Sequence, residues 1–183
     1  MNWDSVEGWF DGSDVMEYRR IVSKYTHGNF VEIGCWKGRS FSSIMPVLLQ
    51  NNYQNIYAVD HWLGSVDERE GDHLEATQRD IFPQFVANVA ACGFDGKYQV
   101  VRGDSFEVAH QFDDGYFDVV FIDADHEYDG FKKDVDAWLP KVRKGGTICG
   151  HDAYHAPIIK VLNETFSFMW YRPPAGTVWS YVV

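Results

Sequence analysis

Five short apolar runs, each with an acidic residue at or just beyond its end, constrain this chain more than any other feature. They are residues 29–33 (NFVEI), 55–60 (NIYAVD), 98–102 (YQVVR), 117–122 (FDVVFI) and 147–149 (TIC). Helix-type runs separate most of them. In 40–49 the apolar face is Phe41, Ile44, Met45, Leu48 and Leu49; in 83–91 it is Phe85, Val86 and Val89. In 130–142 it is Phe131, Val135, Trp138, Leu139 and Val142, with Lys132, Lys133, Asp134 and Asp136 facing away, and 157–166 is a last short helix. Pro46 should kink its helix or delay its start, and Pro83 suits a first helical turn. Residues 168–171 and 177–183 read as two more strands around Arg172-Pro173-Pro174-Ala175-Gly176. So short a link makes that pair antiparallel. The pattern predicts a doubly wound α/β fold: a seven-stranded, mostly parallel sheet with a C-terminal antiparallel hairpin.

At 183 residues the chain suits one domain, 1–183, with residues 1–28 as an N-terminal helical or capping segment. Hydrophobic residues at 45% and aromatics at 16% exclude a disordered chain. Sixteen Lys and Arg against 27 Asp and Glu give a net charge of −11. Such a chain lacks the positive field that draws phosphate backbones or anionic lipid, so neither nucleic acid nor a membrane surface is expected as a partner. Cys35, Cys92 and Cys149 have no metal-type or disulfide-type spacing, which fits a reducing, cytoplasmic setting. No apolar run approaches the ~20 residues that cross a bilayer.

In sheets of this kind ligands bind beyond the carboxyl ends of the strands. Those ends read Glu32-Ile33-Gly34, Val59-Asp60-His61, Gly103-Asp104-Ser105, Ile122-Asp123-Ala124-Asp125-His126 and Gly150-His151-Asp152. Five acids at five equivalent positions point to a polar ligand. The first turn, residues 32–40, has Gly34 and Gly38 for a tight turn and close backbone approach. Trp36 stands where a dinucleotide fingerprint has its second glycine, which disfavours NAD or FAD. Asp60 is placed to accept from ribose hydroxyls. Glu32, Asp60 and Asp104 together suggest an adenosine ligand without phosphates.

The segments VEIGCWKGRS (31–40), IYAVDHW (56–62), VVRGDSFEVA (100–109), DVVFIDADHEYDGFKKDVDAWLPKVRKGGTICGHD (118–152) and the closing VWSYVV resemble class I S-adenosylmethionine-dependent methyltransferases. They are most similar to the branch that includes the macrolide-sugar O-methyltransferases. The resemblance covers roughly residues 28–183, and 118–152 is its most specific part. It implies the strand order 3-2-1-4-5-7-6 and S-adenosylmethionine as cofactor. It implies that the turn with Gly34, Cys35, Trp36, Gly38 and Ser40 lies along the methionine part, with Glu32 supporting it. Asp60 would hold the ribose, His61 or Trp62 would cover the adenine, and Asp104 with Ser105 would meet its amino group. Asp123 would lie beside the sulfonium and, in metal-dependent members, bind a divalent ion. The pair His151-Asp152 replaces the Asp-Asp or Asp-Asn of some metal-dependent relatives. That weakens a case for Mg²⁺ and leaves Mn²⁺, Fe²⁺, Zn²⁺ or no metal open at Asp123, His151 and Asp152.

The expected activity is methyl transfer to a small-molecule acceptor, with oxygen the favoured atom. Such a transfer needs a group to take the acceptor's proton. Asp123, His126 and His151 are the catalytic candidates, since histidine titrates near neutrality. His27, His73, His110 and His155 read as surface or loop residues, and Trp3, Trp9 and Phe10 as packing. Acceptor recognition falls to residues 1–15, 151–157 and the polar loop 64–80, which could act as a lid. A homodimer is left open. The competing readings are a nucleoside-binding module without catalysis, or another transferase or NAD-type enzyme on this fold.

Overall fold

A computed structural model describes residues 1–64 and 79–183, so the loop 64–80 lies almost wholly outside the described residues. After a 3-10 turn at Trp3–Ser5 come α1 (Gly12–Val22), β1 (Asn29–Ile33), α2 (Arg39–Gln50) and β2 (Asn55–Asp60). Then follow α3 (Phe82–Ala91), β3 (Gln99–Arg102), α4 (Ser105–Val108) and β4 (Phe117–Ile122). The chain closes with α5 (Tyr128–Trp138), β5 (Val142–Gly150), α6 (Ala156–Phe166) and β6 (Trp179–Val182). Among the described residues these strands form one sheet in the order β3-β2-β1-β4-β5-β6. All neighbours are parallel except β5 and β6. No described helix is long and apolar enough to cross a membrane.

Among the described residues the sheet has six strands, where seven were expected. Residues 168–171 contribute one bridge, Tyr171 to Ser180, on the side of β6 away from β5. Ser167 and Phe168 have φ of 50° and 63°, a left-handed turn that breaks an extended run. Pro173 and Pro174 then lack the N–H groups a ladder would need. The order 3-2-1-4-5-7-6 is accordingly not reproduced as seven strands.

Two other boundaries move. The helix expected to reach Val142 ends at Trp138, and Pro140 lies in a 3-10 turn at Leu139–Lys141. Proline disfavours helical geometry in the residue before it. Val142 therefore opens β5, five residues before the expected Thr147. Pro46 sits inside an α2 that already starts at Arg39, so the helix is not delayed. A proline there removes the bond to the Ser42 carbonyl one turn back, and the neighbouring Ser43 carbonyl accepts from the Arg19 guanidinium at 2.7 and 3.0 Å.

Strand alternation splits the core into two layers. Phe30, Val119 and Phe121 face α1, α2 and α3; Val31, Ile33, Val120 and Ile122 face α4, α5 and α6. Glu32 shares the parity of Phe30, so it is buried under α1 and α2. The same parity stacks Tyr18 on Phe121 at a centroid distance of 3.8 Å.

Candidate active site

The carboxyl ends of β1, β2, β4 and β5 open onto two cavities. The first is lined by Asp60, His61, Trp62, Asp104, Ser105, Asp125, Lys133 and Asp134, among others. The second is lined from α1 by Asp14, from the N-terminal segment by Trp9 and Phe10, and from strand ends by His126, His151, Asp152 and His155. Gly34, Trp36, Asp123 and Ala124 belong to both. The two spaces therefore meet where β1 and β4 end side by side.

Asp60 organises the first cavity. Its Oδ2 accepts from the amides of Cys35 and Trp36 at 2.8 and 2.9 Å, and its Oδ1 from the amide of Trp62 at 2.6 Å. Trp36 and Trp62 have φ of 42° and 58°, which bulky side chains rarely adopt. One carboxylate thus braces both strained residues, and the Trp62 indole N–H donates to the Trp36 carbonyl at 2.9 Å. Such strain concentrates at sites where it is held for a purpose. Trp62 packs into the aromatic core with Phe82 and Phe85, whereas the His61 side chain is one-third exposed. Of the two residues expected to cover a base, His61 is the accessible one.

The glycines of the first turn are required by the protein itself. Gly34 has φ of +80°, and a Cβ there would fall on the Asp123 carbonyl and 2.7 Å from the Ala124 Cα. A Cβ at Gly38 would press on Val89 and Phe85 at 3.0 and 3.1 Å. The structure shows close approach to the backbone just beyond β4 and to α3, and Gly34 also lines both cavities.

Glu32 reaches neither cavity. Tyr18 donates to its Oε2 at 2.8 Å and Ser40 to its Oε1 at 2.6 Å. Burial pushes its carboxyl up to about 8 against the pull of those two hydroxyls. It supports the turn from beneath. Cys35 and Ser40 border the second cavity, with the Cys35 thiol buried and directed to the Glu32 and Val59 carbonyls.

In the second cavity the sequence candidates converge. The Asp152 Oδ2 lies 3.0 Å from His126 Nε2 and 3.1 Å from His151 Nδ1, while Asp123 Oδ1 is 3.8 and 3.7 Å from the same nitrogens. Asp123, His126 and Asp152 can each offer a ligand atom within 4.8 Å of the others. His151 turns its Nε2 away, toward Asp14 Oδ2 at 3.3 Å. Burial opposes a charge on His151, but Asp123, Asp14 and Asp152 outweigh it and raise the imidazole to about 10. Burial likewise works against Asp152, yet hydrogen bonds from His126 and His151 hold it well below the usual carboxylate range. At neutral pH His151 therefore carries its proton and is poorly suited to accept another.

Sequence reasoning missed Asp14 and Asp134. Asp14 also accepts from the Thr177 amide at 2.6 Å, tying α1 to the C-terminal segment. Asp134, expected to face away, is buried and accepts from the Ser105 hydroxyl. A signal existed for each. Asp134 lies three residues after Phe131 and four before Trp138, and Asp14 lies four before Tyr18, both within apolar helical stripes. His155, read as a surface residue, stacks on His126 with centroids 5.7 Å apart.

Residues 31–153 match the family described as a methyltransferase domain, and with more than half of its length matched the chain belongs to that family. Its methyl donor is S-adenosylmethionine. A search of curated protein sequences finds no match. Among solved structures, the O-methyltransferase NovP superposes with a TM-score of 0.67 at 16% identity, over 93% of this chain and 80% of that one. The calicheamicin methyltransferase CalS11 gives 0.65 at 14%, over 92% and 80%. An O-methyltransferase from Bacillus cereus in complex with SAH gives 0.62 at 13%, over 98% and 84%. At such identities the likeness is one of fold.

Proposed function

We propose that the protein transfers a methyl group from S-adenosylmethionine to a hydroxyl oxygen of a small molecule, across the wall shared by its two cavities. The observation that carries this reading is the junction at Gly34, Trp36, Asp123 and Ala124. Displacement at a sulfonium carbon is in line, so donor and acceptor must approach from opposite sides of one point. Two cavities meeting at Asp123 have that geometry.

In this reading the nucleoside occupies the first cavity. Asp60 keeps a lone pair for a ribose hydroxyl, His61 lies over the base, and Asp104 with Ser105 meets its amino group. The methionine part follows the turn through Cys35, Trp36 and Ser40. The acceptor lies in the second cavity beside Asp123, His126 and Asp152. With His151 already protonated, the acceptor's proton passes to Asp123 or His126. The oxygen assignment draws on that proton-accepting cluster and on the O-methyltransferases among the structural neighbours.

The donor set of two carboxylates and an imidazole fits a divalent ion such as Mn²⁺, Fe²⁺ or Zn²⁺. Asp123, His126 and Asp152 would hold it, with His151 steadying Asp152 from behind. When bound, such an ion supplies Lewis acidity that lowers the pKa of an acceptor hydroxyl.

The test is incubation with S-adenosylmethionine and a panel of sugars, catechols and other small hydroxyl compounds beside amines, thiols and carbon nucleophiles, read by mass spectrometry. Transfer to an oxygen that is reduced by Asp123→Ala supports the reading. Methylation confined to nitrogen, sulfur or carbon acceptors overturns the oxygen assignment.

A further inference from the structure

We propose that Asp134 is a positioning residue that sets the base specificity of the first cavity, by fixing which way the Ser105 hydroxyl points its proton. The proposal rests on reading that cavity as the nucleoside site.

Ser105 opens α4 directly after Asp104, and both line the cavity. Two side chains of α5 hold it. Its hydroxyl donates to Asp134 Oδ1, and its carbonyl accepts from the Trp138 indole N–H at 3.2 Å. A serine hydroxyl has one proton and two lone pairs. With the proton committed to Asp134, the oxygen offers the cavity only lone pairs. The Asp104 carboxylate beside it also only accepts. A floor of acceptors suits the exocyclic amino group of a 6-aminopurine. It leaves a 6-oxopurine carbonyl facing the lone pairs of Asp104 and Ser105.

Asp134 is a buried carboxylate on α5. A buried carboxylate without a function would be replaceable by a larger apolar residue matching Phe131, Val135 and Trp138 around it. It also borders the cavity rather than the sealed core. Burial, with Asp125 and Asp104 facing it, pushes its carboxyl up to about 7, opposed by the Ser105 hydroxyl and by Lys133 on its own helix. Below that range a protonated Asp134 donates to Ser105 instead, and the serine proton becomes free to meet a 6-oxo group.

Calorimetry with S-adenosylhomocysteine and its 6-oxo counterpart, S-inosylhomocysteine, tests this between pH 6 and 8.5. The native protein should prefer the amino compound by at least about tenfold at pH 8. That ratio should shrink toward pH 6. Asp134→Asn should abolish its pH dependence, and Asp134→Ala should collapse the ratio to the level of Ser105→Ala, without further loss in the double variant. A ratio unmoved in Asp134→Ala, or a pH profile in Asp134→Asn equal to that of the native protein, overturns the proposal. If Asp134→Ala melts early, Asp134→Asn and Ser105→Ala decide the matter alone. Homocysteine nucleoside affinity unaffected by Asp104→Ala would instead remove the cavity assignment, and the proposal with it. Affinity that falls in Asp104→Ala, with a ratio indifferent to Asp134, removes the proposal only.

Discussion

Asp14 Oδ2 and His151 Nε2 face each other at 3.3 Å, linking the first helix of the chain to the end of β5. The contact closes the back of the second cavity. His151 is raised to about 10 in the folded chain, above its ordinary value of 6.5. The stabilisation from that proton is complete below pH 6.5 and is lost between there and about pH 10. Asp14→Asn keeps an acceptor for Thr177 but removes one charge beside the imidazole. We expect it to cost about 1–3 kcal/mol at pH 7, bounded because His151 can release its proton. Denaturant melts from pH 6 to 10 check this: the variant should lose less stability than the native protein over the range. Parallel curves would mean that Asp14 does not hold the proton.

Gly34→Ala should destabilise the protein rather than remove cofactor affinity alone. Its Cβ would collide with the backbone just beyond β4, at Asp123 and Ala124, at a φ of +80°. Overpacking and left-handed strain together should cost about 2–5 kcal/mol. A melt with normal stability, paired with lost S-adenosylhomocysteine binding, would return the glycine to a ligand-contact role.

Asp60→Ala should lower stability and cofactor affinity together. Three backbone amides lose their common acceptor, and two tryptophans lose the brace on their left-handed conformation. Each effect should be about 1.5–3 kcal/mol, as for hydrogen bonds to a charged group. Asp60→Asn retains one oxygen and should fall between. Calorimetry and melting on the same samples separate the two losses. A fall in affinity with no change in stability would show that the turn stands without the brace.

Much of the fold and of the site is legible in the sequence. Parallel strands ending in acids gave the α/β sheet and the strip along which Asp60, Asp104, Asp123 and Asp152 lie. What the sequence hid was direction. Glu32 looks like the other strand-end acids, but strand parity buries it between Tyr18 and Ser40. Asp134 looks like part of a solvated helix face until its spacing from Phe131 and Trp138 is weighed. Asp14 meets His151 only through tertiary packing, which no local spacing encodes. The missing strand at 168–171 is a case of backbone geometry overriding β propensity, since the chain turns left-handed at Ser167 and Phe168.

The last prediction concerns the metal. Asp123, His126 and Asp152 bring three ligand atoms within 4.8 Å, whereas His151 presents one nitrogen to Asp152 and the other to Asp14. If the cluster binds a divalent ion, His126 is the nitrogen ligand and His151 acts behind Asp152. Methyl transfer should then be abolished by EDTA and restored by Mn²⁺. His126→Ala should weaken Mn²⁺ binding, followed by electron paramagnetic resonance without substrate, more than His151→Ala does. Loss of an outer partner typically costs about 10–100-fold in metal affinity, so His151→Ala should fall in that range and His126→Ala beyond it. Activity indifferent to EDTA, with His126→Ala slowing turnover by about 10²–10⁴-fold, would make His126 the general base instead. Mn²⁺ binding that depends on His151 and not on His126 would reverse the assignment of the two imidazoles, with His151 Nδ1, 3.1 Å from Asp152, as the ligand.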